Sequence, residues 1–340
     1  MIRTPTGHAA HWCPTATSIL AALLVLSSGC GSQVSVRDSA SATATSSAAA
    51  APAASATDQP ERDRQQHLDL EATLASIPDD TTPLRQRLQE ECEVQFLWDD
   101  REEGKVYVAQ LGFQKSLADA HLVALAGLAG PLDITLTNTA ISDDGLALLA
   151  RMRTHQRQGR PLLAEVYELH LNRTRVSDRG LTHLAAFPTL RVLDLSDTRI
   201  TDAGLVHLGH LTQLQRLFLA RTKVNGSGLA QLATLSALRE LDLEGTPLDD
   251  DGLQQLPAWP KLRKLVLRRT RVTDAGLERL RVLPALEELD LTDTRITDAC
   301  VATIKELKHL RRLRIADNKG LTESGAIQLR IALPDHVRIE

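Results

Sequence analysis

Residues 190–205 read LRVLDLSDTRITDAGL, and the spacing of leucine in this stretch decides the fold. The sequence restarts in the same phase every 24 residues, at Leu190, Leu214, Leu238, Leu262, Leu286 and Leu310. A fixed period of this length is typical of a repeat array, in which each unit buries its apolar face against its neighbours. The chain is therefore predicted to be a stack of small identical units and not a set of separate globular domains.

Each unit predicts a short strand followed by a short helix. Leu193 and Leu195 alternate with polar residues, so both leucines face the interior of a strand and the residues between them face outward. Thr201 and Asp202 then offer side-chain acceptors to the free amides at the start of a helix. A threonine recurs after each strand, and we expect its hydroxyl to bind backbone groups of the turn inside the stack; these residues are Thr139, Thr174, Thr198, Thr222, Thr246, Thr270 and Thr294.

This pattern resembles the leucine-rich-repeat family, of the strand-plus-helix type found in bacterial surface proteins and in the substrate-binding arrays of F-box proteins. The resemblance covers residues 106–340 and implies a right-handed α/β solenoid, or horseshoe, with a parallel concave sheet and convex helices. It also implies a protein partner bound by the array. Residues 61–105 are predicted as a polar segment, helical or disordered, followed by a capping hairpin, and residues 337–339 as a closing strand.

The N-terminal part of the chain predicts export. Residues 1–29 contain a short apolar run that fits a signal peptide, and the sequence up to Cys30 resembles the lipobox of bacterial lipoproteins. Residues 30–60 are rich in Ala, Ser and Thr and are predicted to be a flexible tether. We therefore expect a membrane-anchored lipoprotein that faces the periplasm or the cell surface; the alternative is conventional cleavage that releases a secreted soluble protein.

Composition and motifs narrow the function. The formal charge of -4 argues against nucleic acid as a partner, because binding phosphates needs a basic surface. No catalytic motif is present, so we expect no enzymatic activity, no cofactor and no metal. The four cysteines show no spacing that indicates a disulfide framework or a zinc site.

The concave face carries the predicted binding site. Its outward positions alternate acidic, basic and apolar residues along successive strands, and the candidate ligand-binding residues are Arg216, Phe218, Asp242, Glu244, Val266, Arg268, Asp290 and Arg314. The alternative is that these charges form a self-complementary ladder in a structural spacer or surface-coat component without a specific ligand.

Two basic features offer further contacts. One unit is lengthened by an insertion, which yields a candidate basic loop formed by Arg153, His155, Arg157 and Arg160. A column of cations follows the strand exits at Arg175, Arg199, Lys223, Arg271, Arg295 and Lys319. We expect Asp197 and Asp293 to neutralise this column. The alternative is that the cations stay unpaired and bind anionic groups of a partner.

Overall fold

A computed structural model describes residues 70–92, 94–101, 104–128 and 130–340. The predicted signal peptide, Cys30 and the tether lie outside these ranges. Within the described residues, no helix combines the length and the apolar character needed to cross a membrane.

One continuous sheet of 11 strands runs through the molecule. The hairpin of β1 (Gln95–Arg101) and β2 (Gly104–Gln110) is antiparallel and lies at the N-terminal end, where the sequence pattern places a cap. All later neighbours in this sheet pair in parallel: β3 (Leu132–Thr135), β6 (Val166–His170), β7 (Val192–Asp194), β8 (Arg216–Phe218), β9 (Glu240–Asp242), β10 (Lys264–Val266), β11 (Glu288–Asp290), β12 (Arg312–Arg314) and β13 (Arg338–Ile339). Parallel pairing in sequence order with helical returns makes the chain an α/β solenoid.

Short helical segments connect the strands. The α-helices are α1 (70–76), α2 (Thr82–Cys92), α3 (Asp143–Thr154), α4 (Asp178–Leu181), α5 (Asp202–Leu205), α6 (Asp250–Gln254), α7 (Asp274–Leu277), α8 (Cys300–Ile304) and α9 (Glu323–Ala332). The 3₁₀ segments are Asp119–Leu125, Thr182–Ala186, Val206–Leu208, Leu229–Leu232 and Glu278–Val282. Thr201 and Thr273 cap α5 and α7 through their side chains, as the sequence predicts.

The interior is a continuous column of leucines. Leu193 and Leu195 have no solvent exposure, and their equivalents in the other repeats are buried. The repeated threonines are buried beside them, and each hydroxyl donates to the carbonyl oxygen three residues earlier, for example Thr222 to Leu219 at 2.7 Å and Thr270 to Leu267 at 2.7 Å. The threonine prediction is therefore confirmed: the hydroxyl satisfies the turn that follows each strand.

A carboxylate clasp joins successive repeats. Asp178 accepts hydrogen bonds from the backbone amide of Thr201 at 2.8 Å and from its hydroxyl at 2.6 Å. The same two contacts join Asp119 to Ser142, Asp143 to Ser177, Asp250 to Thr273 and Asp298 to Thr322. These aspartates thus bind the next repeat, while Thr201 and Thr273, each directly before an aspartate, cap their own helices.

One of the cysteines lies inside the repeat array. Cys300 replaces the repeat glycine and is a buried free thiol, and its burial, with smaller contributions from Asp274 and Asp298, raises its pKa to about 12.

Candidate functional site

The open face of the parallel sheet presents three columns of side chains. Strand register places Arg216, Glu240 and Lys264 in one column and Phe218, Asp242 and Val266 in the next, because parallel strands pair residue by residue. A third column follows two residues later and contains Ala220, Glu244 and Arg268. Six of the eight predicted ligand-binding residues therefore lie together on β8 to β10 and the turns that follow them: Arg216, Phe218, Asp242, Glu244, Val266 and Arg268.

The first column is largely self-paired. Lys264 lies 2.5 Å from Glu240, and Arg312 lies 3.3 Å from Glu288. Arg216 reaches across one intervening strand to Glu168 at 3.4 Å. These pairs form the ladder that the spacer alternative predicts, each with the modest energy of a partly exposed ion pair.

The acidic residues of the second column accept hydrogen bonds from backbone amides in the turn that follows each strand. Asp242 accepts a hydrogen bond from the amide of Glu244 at 2.8 Å, and Asp290 accepts one from Thr292 at 2.9 Å. Asp290 also has Arg314 within 3.9 Å, whereas Asp242 has no ion-pair partner among the described residues. Burial, together with the charges of Glu244 and Glu240, raises the pKa of Asp242 above its ordinary value.

Arg268 is the cation in the middle of this face that has no carboxylate partner within the described part of the chain. Its neighbour Glu244 lies 3.8 Å from Arg221 and 3.6 Å from Arg269, and these two contacts occupy that carboxylate. The Nε of Arg268 is buried and makes no hydrogen bond. A buried donor without an acceptor costs free energy, on the order of 1–3 kcal/mol.

An apolar patch lies beside this arginine. Phe218 is half-buried on β8, Val266 is only 9% exposed on β10, and Ala220 is nearly buried in the turn after β8. Asp242 lies between Phe218 and Val266 in the strand register. The central strands thus combine an aromatic side chain, an unpaired cation and an unpaired anion within a few strand spacings of about 4.8 Å.

The remaining two predicted residues lie toward the C-terminal end and already have partners. Arg314 contacts Glu340 at 2.9 Å and shares Asp290 with the strand exit described above. Both residues therefore help to close the end of the sheet.

The predicted basic loop is folded against the body of the molecule. It forms the hairpin of β4 (Gln156–Arg157) and β5 (Arg160–Pro161). Arg153 contacts Glu165, and Arg157 donates to the carbonyl of Ile77 at 2.8 Å and lies 3.1 Å from Asp79. His155 and Arg160 are exposed. Two of the four basic side chains thus tie the loop to the protein and only the other two face solvent.

The aspartates expected to neutralise the basic column do not do so. Asp197 binds Arg221 through two hydrogen bonds of 2.7 Å and contacts Arg173 at 3.3 Å. The hydrogen bonds from Arg221 lower the pKa of Asp197. Asp293 lies 3.7 Å from Arg269. The expectation was wrong because the left-handed backbone at Asp197, with a φ of 56°, turns its side chain along the turn instead of toward the column.

The six cations of that column are exposed and have no ion pair in the described part of the chain: Arg175, Arg199, Lys223, Arg271, Arg295 and Lys319. They line the edge where the chain leaves the sheet.

A polar cluster that the sequence reasoning missed lies at the N-terminal end of the open face. Nε2 of His170 is 3.5 Å from a carboxylate oxygen of Glu168 and 3.9 Å from Oδ1 of Asp133. Burial alone would lower the pKa of His170, but the hydrogen bond to Glu168 and the charges of Asp133, Asp194 and Glu168 outweigh it and raise the pKa. The sequence signal was weak, because the strand that pairs with the strand of Asp133 follows an insertion in the repeat.

Comparison with known proteins agrees with this geometry. Residues 171–329 match a family model described as a leucine-rich repeat region. The fold is a leucine-rich-repeat solenoid. Such repeat regions are typically protein-interaction modules, and this general class fits the chain.

A crystal structure of internalin C2 from Listeria monocytogenes is similar at 21% sequence identity and a TM-score of 0.44, with coverage of 66% of this chain and 84% of that one. A comparison with curated proteins gives no significant match.

Proposed function

We propose that this leucine-rich-repeat protein is a non-enzymatic binding module of the cell envelope that recognises a protein partner on the centre of its concave face. Arg268 carries the proposal. Its guanidinium has no carboxylate partner among the described residues and its buried Nε makes no hydrogen bond, whereas charges of the first column are paired with one another. A carboxylate from a partner would pair with the guanidinium of Arg268 and supply the anion that it lacks.

Phe218 supplies the second element of the proposed contact. Interface hot spots are enriched in arginine and aromatic residues that lie near the centre of a patch, surrounded by residues that exclude water. Phe218, Val266 and Ala220 form such an apolar patch, and Asp242 adds an anion that forms no ion pair with the described residues. We infer a partner segment that offers an acidic group to Arg268, an apolar group to Phe218 and a basic group to Asp242.

A preformed sheet favours this mode of recognition. The strands of the face are held by the leucine column and by the clasps between repeats, so few groups need to become ordered on binding. The competing function, a spacer without a ligand, is favoured by the ion pairs Glu240–Lys264 and Glu288–Arg312, which stabilise the array by themselves. The two functions differ in what they require of Arg268 and Phe218.

Location in the envelope is the second part of the proposal. It is supported by the apolar run and lipobox-like sequence that precede Cys30 and by the Ala/Ser/Thr-rich segment after it. Replacing Cys30 with alanine is expected to move the protein from the membrane fraction to the soluble fraction of exported material. An unchanged distribution would rule out lipid attachment at this cysteine.

The binding proposal is tested by in-cell crosslinking and mass spectrometry of the full-length protein. We expect Arg268→Gln and Phe218→Ala each to lose the same partner. The matched controls are Arg271→Gln, an exposed cation of the edge column, and Val206→Ala, an apolar residue that is 51% exposed in a connecting helical segment. Circular dichroism must show that all four variants fold.

A partner retained by the controls and lost by both test variants supports the concave face. Identical partner sets in all variants, or no partner in any, would favour the spacer.

A further inference from the structure

The cluster at the N-terminal end of the concave face brings together three groups that bind metals. Asp133 comes from β3, and Glu168 and His170 come from β6, its neighbour in the sheet. One donor atom from each, two carboxylate oxygens and one imidazole nitrogen, lies within 4.8 Å of the others. The pairing of β3 with β6 shifts between Leu132 and Asp133, and the shift places Asp133 directly opposite Glu168.

The surroundings of the cluster are partly dehydrated. The side chains of Asp133, Glu168 and His170 are 9%, 16% and 27% exposed. Charges buried to this degree interact more strongly than in water, and their own solvation is reduced. Asp133 in particular is a carboxylate on a sheet face that leads to solvent, yet it is almost fully covered.

The charges around His170 favour a cation. Three carboxylates act on the imidazole, those of Glu168, Asp133 and Asp194, and Arg216 contacts the group from outside, 3.4 Å from Glu168. With a neutral imidazole the cluster has an excess of negative charge. A divalent ion would remove most of this excess and would take the two carboxylates and the imidazole as ligands at the same time.

We propose that Asp133, Glu168 and His170 form a binding site for a divalent transition-metal ion such as Zn²⁺. One nitrogen and two oxygen donors suit the borderline ions Zn²⁺, Co²⁺ and Mn²⁺, whereas Ca²⁺ and Mg²⁺ prefer oxygen donors alone. Donors bound at about 2.0–2.2 Å lie roughly 3.0–3.5 Å apart. His170 lies 3.5 and 3.9 Å from the two carboxylates, and all three donors lie within 4.8 Å of one another, so side-chain movements of about 1 Å would bring them to these distances.

Three protein ligands leave a coordination position open toward the concave groove. Zinc sites with three protein ligands hold water or an external group at the fourth position. The site is separated from Arg268 and Phe218 by intervening strands, and it extends the concave face beyond the proposed function. Its presence does not depend on that function.

A different arrangement accounts for the same geometry without a metal. A protonated His170 would bridge Glu168 and Asp133 as an ordinary ion-pair group, and the cluster would then serve only to join β3 to β6. Metal titration distinguishes the two arrangements. Only the metal site predicts that one ion binds per protein and that its binding requires the side chains of Asp133 and His170.

The test is titration of untagged full-length protein, freed of metal by chelation, with ZnCl₂ followed by calorimetry and with CoCl₂ followed by visible absorption. We expect one tight equivalent. The ligand variants Asp133→Asn and His170→Gln keep the side-chain shape, so both are expected to fold, which circular dichroism verifies. Each is expected to weaken binding by roughly 100-fold or more, beyond the 10–100-fold typical of residues that only orient a ligand.

Two control variants distinguish ligands from nearby charge. Asp194→Asn removes a charge that acts on His170 and contacts no proposed donor position, so it is expected to weaken Zn²⁺ binding only a few-fold. His210→Gln removes an exposed histidine elsewhere and is expected to change nothing. Absence of a bound equivalent below about 1 mM Zn²⁺, or equal affinity in Asp133→Asn, His170→Gln and the unmodified protein, would overturn the proposal.

Discussion

Replacement of Gly204 by alanine tests the clasp between repeats. A β-carbon at Gly204 would lie 2.3 Å from Oδ1 of Asp178 and 3.0 Å from Cδ1 of Leu181. The carboxylate of Asp178 would have to move, and the hydrogen bonds that it accepts from the amide and hydroxyl of Thr201 would be weakened. Gly204 makes no side-chain contact in the native protein, but the added methyl group would disturb Asp178, which belongs to the preceding repeat.

The expected cost follows from two opposing contributions. Loss of hydrogen bonding to a charged group destabilises by about 1.5–3 kcal/mol. Alanine in place of glycine inside a helix stabilises by about 0.5–1 kcal/mol. Complete loss is the upper limit, so Gly204→Ala should lower the free energy of unfolding by up to about 2 kcal/mol, measured as a shift of the urea midpoint with the denaturant slope unchanged.

A double-mutant cycle with Asp178→Ala decides whether this reasoning holds. Once the carboxylate is absent, the new β-carbon of Gly204→Ala meets no charged acceptor, so the second substitution should be neutral or stabilising. Additive effects of the two substitutions would refute the clasp as the cause. The protein contains a natural comparison at Cys300, where a β-carbon replaces the glycine. There Asp274 lies 3.0 Å from the amide of Thr297, against 2.8 Å for Asp178 and Thr201, and still accepts a hydrogen bond from the Thr297 hydroxyl at 2.7 Å.

Three further predictions concern the concave face and the interior. Asp242→Asn should stabilise the protein at pH 7 by a few tenths to about 1 kcal/mol, because the raised pKa of Asp242 means that its charge opposes folding. This gain in stability should vanish as the pH falls through that pKa toward the unfolded value of about 3.9. Equal gains in urea titrations at pH 7 and pH 3.5 would contradict the prediction. Lys264→Glu should destabilise the folded protein by up to about 1 kcal/mol through repulsion from Glu240. Adding Glu240→Lys to the same chain should restore most of the lost stability. If urea titration shows no such rescue, the ion pairs of the first column contribute no pairing energy. Cys300 should resist iodoacetamide at pH 8 until urea unfolds the chain, because burial raises its pKa to about 12; rapid labelling of its peptide in the native protein, detected by mass spectrometry, would contradict its placement.

The regular part of the fold can be predicted from sequence because each of its features is local. Alternation at Leu193 and Leu195 sets the strand, the threonine hydroxyl binds a carbonyl three residues away, and both patterns recur with the repeat period. The positions of Phe218 and Asp242 on the open face follow from the same alternation, since strand register is conserved from one unit to the next.

The contacts between side chains were harder to predict. The direction of Asp178 toward the following repeat depends on the glycine 26 residues later, and the sequence pattern alone fits a cap of its own helix equally well. Asp197 pairs with Arg173 and Arg221 because left-handed turn residues stack on one another, a geometry that no single repeat reveals. The cluster of Asp133 and His170 joins strands on either side of an insertion, so its spacing follows no period.

Site-specific photocrosslinking in cells measures whether the concave face binds a protein partner. A photoreactive amino acid is placed at Phe218 in one protein and at Val206 in another, so that the two probes lie on the concave face and in an exposed connecting segment of the same repeat array. We expect the probe at Phe218 to form a crosslink to one specific protein that the probe at Val206 does not form. This crosslink should disappear when Arg268→Gln is added. No specific product from Phe218, or the same products from both positions, would contradict it.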